Sequence, residues 1–242
     1  MIQPANAKSR AQESHMTGKL PPFVLLLVGL IMTTADAQTN HKPYGNVKTE
    51  KPYVCLTFDD GPDGNMVPKL LELFAKENVK ATFFVKGDNV TAFPEVAKRI
   101  IAEGHEIGNH SKTHANLPKC DSIEKVREEI VATQKIVTDT VGVTPVTFRA
   151  PFLAHDDKVW MILDELKLPS INASKYTDDW NKEKSAEHIL TKATENIKAG
   201  DIILMHSWRK ETYDVMPEMI KRIKAAGLEM VTVKTLLDSE KK

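Results

Sequence analysis

From residue 52 onward, short apolar runs bounded by turn residues alternate with longer stretches in which apolar positions recur at helical spacing. The short runs predict strands at Tyr53 to Thr57, Ala81 to Val85, His105 to Gly108, Thr147 to Arg149, Ser170 to Asn172, Ile202 to Met205 and Glu229 to Val231. The longer stretches predict helices over Pro68 to Glu77, Phe93 to Glu103, Ser122 to Val141, Asp157 to Leu166, Ala186 to Lys198 and Met216 to Ala226. One helix or one loop between consecutive strands is the signature of a parallel α/β fold. About seven such units in roughly 190 residues predict a distorted (β/α) barrel, closed or incomplete. In such a fold chemistry belongs at the carboxyl ends of the strands, which gives each motif a positional test.

The N-terminal stretch has a different pattern. Lys8, Arg10 and Lys19 precede an apolar run from Phe23 to Met32, and Ala35-Asp36-Ala37 then offers a small-x-small cleavage site. Residues 1–37 are therefore expected to be a signal peptide, with Met16 an alternative start. Residues 38–51 are polar and expected to be a flexible lead-in, and residues 52–242 the catalytic domain. The run is too short to span a bilayer comfortably, so the expected product is exported, periplasmic or extracellular, without stable membrane association after cleavage.

Composition adds limits. With 41% hydrophobic and 27% charged residues in 242, the chain can bury a core of its own. Its 33 basic residues balance 33 acidic ones, so no global field attracts nucleic acid, and a neutral or small substrate is expected. Cys55 and Cys120 are the only cysteines, and their pairing is left open.

Five motifs carry candidate chemistry. Thr57-Phe58-Asp59-Asp60-Gly61-Pro62 closes the first strand with adjacent carboxylates, which repel unless a cation sits nearby; the alternative is an Asp-Gly-Pro turn leading into a helix with Pro68 at its first position. His110 and His114, four apart, fall on one side of a helical turn and could reach one ion, or could be ordinary surface histidines. Arg149, in Phe148-Arg149-Ala150-Pro151-Phe152, could grip a carboxylate bidentately, or could be a surface arginine. Thr177-Asp178-Asp179-Trp180 places carboxylates beside an aromatic able to stack on a sugar, or is an acidic loop. His206 ends the apolar run Ile203-Leu204-Met205, where a lone histidine is as readily structural as catalytic.

The order and content of these motifs resemble the NodB-like polysaccharide deacetylases of carbohydrate esterase family four. The likeness extends over Val79-Lys80-Ala81-Thr82-Phe83-Phe84-Val85, Gly87, and Gly104-His105-Glu106-Ile107-Gly108-Asn109-His110-Ser111 with Thr113-His114 and Asn116-Leu117. The resemblance implies a metal triad of Asp60, His110 and His114 holding one divalent ion, usually Zn2+, with Co2+ or another ion also accommodated. It implies Asp59 as general base, His206 as general acid and Arg149 as the residue orienting the base. Leu204 would line the acetyl pocket, and the backbone N–H near Phe152 would help hold an oxyanion. Asp179 and Trp180 are expected to border the substrate, and Trp208, directly past Ser207, to form either part of the pocket wall bordering it or part of the core.

The chain departs from the family pattern in two motifs. Tyr176 stands at the first position of a D-x-x-D-W motif, leaving Asp178 or Asp179 to tune His206, and R-A-P-F replaces the commoner R-P-P-Y. The implied activity is removal of N-acetyl groups from N-acetylglucosamine units of chitin-type oligomers or peptidoglycan. An O-acetyl esterase on xylan-type glycans, an amidase on a non-sugar amide and a non-catalytic glycan-binding domain are the alternatives.

Overall fold

The first predicted strand becomes the axis of the structure because its residues are apolar on both faces: Val54, Cys55, Leu56 and Phe58 are all fully buried. A strand of this kind needs cover on both sides, which a parallel sheet with crossover helices supplies. The computed structural model describes residues 41–241. The order is β1 (Tyr53–Gly61), α1 (Met66–Glu77), β2 (Thr82–Val85), α2 (Gly87–Ala92), α3 (Pro94–Ala102), β3 (Glu106–Asn109), α4 (Ile123–Val141) and α5 (Asp157–Leu166). It continues with β4 (Lys175–Tyr176), α6 (Ala186–Thr194), β5 (Ile202–His206), α7 (Lys210–Ala225), β6 (Glu229–Met230) and α8 (Val233–Asp238).

The strands pair in the order β3-β2-β1-β5-β4, every pairing parallel, and β6 joins β1 at its amino end. Two predicted strands shrink to single bridges: Phe148 joins Asn109 on one side and Ser170 on the other. The chain from Ser170 then runs into β4, which pairs with β5, so the sheet curves round on itself. Six strands plus these bridges make up the seven-unit barrel expected, with one side stitched loosely.

Helix starts follow from side-chain caps: Ser122, Asp156, Ser185 and Thr232 each accept a backbone N–H from three residues ahead. Two corrections concern helix entries. Pro68 is not at the first position of α1, which begins at Met66, where Asp63 Oδ1 accepts the Met66 N–H at 2.5 Å. α7 begins at Lys210 rather than Met216 and carries Pro217 within it.

A third correction concerns the lead-in. Residues 38–40 lie outside the described residues, as does the expected signal peptide, but residues 41–51 do not behave as a flexible linker. Tyr44 bridges Ile171, the Tyr44 N–H donates to the Ser170 carbonyl at 2.8 Å, and Val47 is buried against a cluster containing Cys55, Phe84 and Ile202. Two apolar side chains in a polar stretch suffice to anchor it. Cys55 and Cys120 are both free thiols. Among the described residues, no helix is long and apolar enough to cross a membrane.

Candidate active site

The carboxyl ends of β1, β3 and β5 open into one cavity of about 510 Å³. Asp59, Asp60, His110, His114, Phe152, Trp180, Leu204, His206 and Trp208 all line it, together with Ala150, Leu153 and Tyr176. A larger cavity of about 650 Å³ lies at the amino ends of the strands, bordered by Lys80, Glu106 and Glu229. The chemistry favours the smaller one: Asp60, His110 and His114 are the group able to hold a metal ion among the described residues.

Adjacent residues of a regular strand point to opposite faces, so Asp59 and Asp60 could not both reach one cavity from an unbroken β1. The pairing of β1 with β2 shifts register between Asp59 and Gly61, and Asp60 sits in the left-handed region at φ 72°. This bulge turns both carboxylates to the same mouth. The Asp60 carbonyl accepts the Asn89 side-chain N–H at 2.7 Å, which fixes the turn.

The Asp60 Oδ1 oxygen lies 3.5 Å from His114 Nε2 and 3.9 Å from His110 Nε2, buried and without a hydrogen-bond partner. Its other oxygen accepts the Trp208 indole N–H at 2.9 Å. The potential ligand atoms of Asp60, His110 and His114 all lie within 4.8 Å of one another. An unpartnered buried carboxylate oxygen facing two imidazole nitrogens is costly unless a cation joins them. Burial pushes the Asp60 carboxyl up, but His110, the Trp208 N–H, His114 and His206 together hold it below the usual carboxylate range.

The two histidines converge through a loop, not through the helical turn expected from their spacing. Ser111 and His114 both adopt left-handed backbone, at φ 61° and 67°, and the ring centroids stand 5.0 Å apart. The Ser111 hydroxyl accepts the His114 N–H, and Asn109 Oδ1 accepts the Ser111 N–H. His110 Nδ1 is 2.8 Å from the Arg149 carbonyl, so Nδ1 carries the proton and Nε2 presents its lone pair. Burial lowers the His110 pKa despite the nearby Asp59 and Asp60, which favours the neutral, ligating form.

Arg149 is fully buried behind the cavity, its guanidinium 4.2 Å over the Phe84 ring. The bidentate grip expected of it does not form. One terminal nitrogen donates to Asp59 Oδ1 at 2.7 Å and to the Thr57 hydroxyl at 2.8 Å, while Nε and the other terminal nitrogen go to the Ile171 and Asn172 carbonyls. With its five N–H groups shared among four acceptors, a single one reaches Asp59. Oδ2 of Asp59 is left toward the cavity, 3.9 Å from His110 Nε2.

Strand register places His206 directly beside Asp59, as Cα partners across the β1–β5 pair. His206 Nδ1 donates to Asp179 Oδ1 at 2.7 Å, and Asp179 Oδ2 accepts the His206 backbone N–H and the Thr212 hydroxyl. Burial opposes the imidazolium, yet Asp179, with help from Asp59 and Asp60, raises the His206 pKa above its ordinary value. This decides between the two aspartates, since Asp178 instead pairs with His188 at 3.1 Å. It also corrects Asp179 as a substrate contact: the side chain is fully buried with both oxygens occupied, behind the histidine rather than in the cavity.

The aromatic border is exposed. Phe152, Trp180, Tyr176 and Trp208 are 64%, 61%, 44% and 40% accessible, and Phe152 stands edge-on to His114 with centroids 4.8 Å apart. Phe152 and Leu153 are consecutive left-handed residues, φ 58° and 54°, that fold the chain back over the cavity. Leu204, nearly buried, forms the floor next to His206. Ala150 and Leu153, also in the wall, carry no chemical signal of their own in the sequence. Tyr176 was visible there only as a departure from a motif; its hydroxyl donates to Asn172 Oδ1 at 2.8 Å.

Comparison with known proteins agrees with this geometry. The family model described as polysaccharide deacetylase matches residues 46–171, more than half of the chain. The chain is 39% identical over 189 residues to the peptidoglycan-N-acetylglucosamine deacetylase PgdA of Listeria monocytogenes, covering 78% of this chain and 39% of that protein. The crystal structure of the Bc1960 peptidoglycan N-acetylglucosamine deacetylase superposes with a TM-score of 0.76 at 33% identity, covering 81% of this chain and 94% of that one. A family pseudoenzyme from Bacillus anthracis superposes equally well, TM-score 0.76 at 29% identity over 83% of this chain and 70% of its own. On the matched model, the relatives and the shared fold, the chain belongs to the polysaccharide deacetylase family.

Proposed function

We propose that this protein is a metal-dependent N-deacetylase that releases acetate from N-acetylglucosamine units of peptidoglycan or chitin-type oligomers. The observation that carries the reading is the convergence of Asp60, His110 and His114 about one point, with Asp59 and His206 on the same cavity wall. The fold alone would not carry it, since a pseudoenzyme shares that fold. The first Listeria relative is also much longer than the matched region, so the substrate is argued from the site.

Asp60 Oδ1, His110 Nε2 and His114 Nε2 would hold one divalent cation, and a carboxylate with two imidazoles suits Zn2+, with Co2+ an acceptable substitute. When bound, such an ion polarises the acetamide carbonyl and makes water more acidic. Asp59, its Oδ1 held by Arg149, uses Oδ2 to take the proton from the attacking water. The Phe152 backbone N–H would serve as the donor to the oxygen on which charge develops; one such donor is worth about 2.7–4 kcal/mol. His206, kept protonated by Asp179, gives its proton from Nε2 to the departing nitrogen as the C–N bond breaks. The products are acetate and the free amino sugar.

Leu204 forms the apolar floor suited to the acetyl methyl group, and Trp180 and Trp208 offer flat faces to a sugar ring. Export follows from the basic segment, apolar run and small-x-small site at the N-terminus, and peptidoglycan lies outside the cytoplasm. The test is acetate release from N-acetylated and O-acetylated glycans, wild type against Asp59→Asn. Release from N-acetylglucosamine oligomers or peptidoglycan, reduced about 10²–10⁴-fold in the variant, is expected. Saturable glycan binding with no acetate would overturn the proposal.

A further inference from the structure

We infer that Trp208 is a positioning residue for the cation, selecting which oxygen of Asp60 binds it. This rests on the metal-site reading above. Trp208 follows β5 by two residues and lies far from Asp60 in sequence, yet its indole N–H donates to Asp60 Oδ2 at 2.9 Å. A carboxylate on a rotatable side chain can offer either oxygen, or both, to an ion. Here one is occupied by a donor that cannot accept in return, because an indole nitrogen only donates. The other, Oδ1, is the buried oxygen without a partner, aimed at Nε2 of both histidines.

Two further restraints bear on the same residue. The Asp60 backbone is held in left-handed geometry, and its carbonyl is tied to Asn89. The side-chain torsion is therefore the remaining freedom, and Trp208 removes it. The indole ring also packs against His206, centroids 5.5 Å apart, so one side chain joins the ligand set to the proposed acid. Outer partners of metal ligands commonly set affinity by about 10–100-fold.

The experiment is Zn2+ affinity measured by competition with a chromogenic chelator for wild type, Trp208→Phe and His114→Ala, each checked for an unchanged melting transition without metal. Trp208→Phe keeps an aromatic ring and deletes the N–H. It is expected to bind one Zn2+ about tenfold more weakly, while His114→Ala loses the site. Equal affinity for wild type and Trp208→Phe, with His114→Ala impaired, would overturn the inference and leave the metal site standing. Equal affinity in all three, or no binding at all, would overturn both.

If Trp208→Phe does not fold, the wild-type indole N–H resonance serves instead. The signal that persists in both Trp160→Phe and Trp180→Phe is expected to shift with one equivalent of Zn2+. A signal that does not move would overturn the inference.

Discussion

The pKa of His206 is raised by a carboxylate that lies behind it, outside the cavity. Asp179 is fully buried and accepts from both nitrogens of His206, ring and backbone, and the histidine pKa is raised by that contact against the opposing effect of burial. An acid must be protonated to act, so activity falls as pH rises through the His206 pKa. Asp179→Asn removes the negative charge and lowers that pKa. The alkaline limb of the kcat/KM profile is therefore expected to move to lower pH, with a smaller change at its acid end. A profile shifted upward, or unshifted, would contradict the role given to His206. Trp208 belongs to the same scale: a single indole N–H decides how one carboxylate is presented.

At the scale of elements, the site depends on irregular backbone held by regular strands. Of the described non-glycine residues with positive φ, Asp60, Ser111, His114, Phe152, Leu153 and Asp178 gather at the carboxyl ends of the strands. Asn78 and Lys167 instead cap helices, and Asn196 lies just past the end of α6. Strain concentrated at one mouth of a barrel is a mark of a functional site.

These irregularities explain what the sequence could show. The strand-end motifs were legible because their polar residues stand in unbroken strings beside apolar runs, and five such strings in order pointed to one family. The bulge at Asp60 was not legible because it depends on register between strands, and the loop that brings His110 to His114 was not legible because positive φ at Ser111 and His114 leaves no mark in their spacing. The choice of Asp179 over Asp178 was hidden in the same way as that loop: a left-handed residue at Asp178, φ 56°, separates the carboxylate on His206 from the one on His188. Tyr44 and Val47 were too few to mark the lead-in as packed chain.

Gly108 tests the coupling between elements. A Cβ there would stand 2.5 Å from the Phe84 ring and 2.9 Å from the Thr147 hydroxyl, and Phe84 carries Arg149 on its face. Gly108→Ala is expected to cost about 1–3 kcal/mol in denaturant unfolding, and to reduce kcat by displacing the arginine that holds Asp59.

At the scale of the whole molecule, the pole opposite the site adds a source of acid sensitivity to the lowered pKa values of His110 and Asp60. His105 lies buried between Phe74 and Phe83, its Nδ1 accepting the Ala81 N–H. Burial, with Lys80 nearby, lowers its pKa from 6.5 to about 4. The unfolded chain therefore takes up a proton at a higher pH than the folded one, and stability is lost as pH falls from 6.5 toward 4. At about 1.4 kcal/mol per unit this amounts to roughly 3 kcal/mol across the window. His105→Gln is expected to flatten that part of the stability profile, measured by denaturant unfolding at a series of pH values. An unchanged slope would mean that other groups govern acid unfolding.

Metal-dependent deacetylation is tested by the acetate released per unit time by metal-stripped protein as Zn2+ is added back in known amounts. The expected result is no release at the start, a linear rise, and a plateau at one equivalent, with no recovery in Asp60→Ala. Undiminished acetate release from fully stripped protein would contradict it.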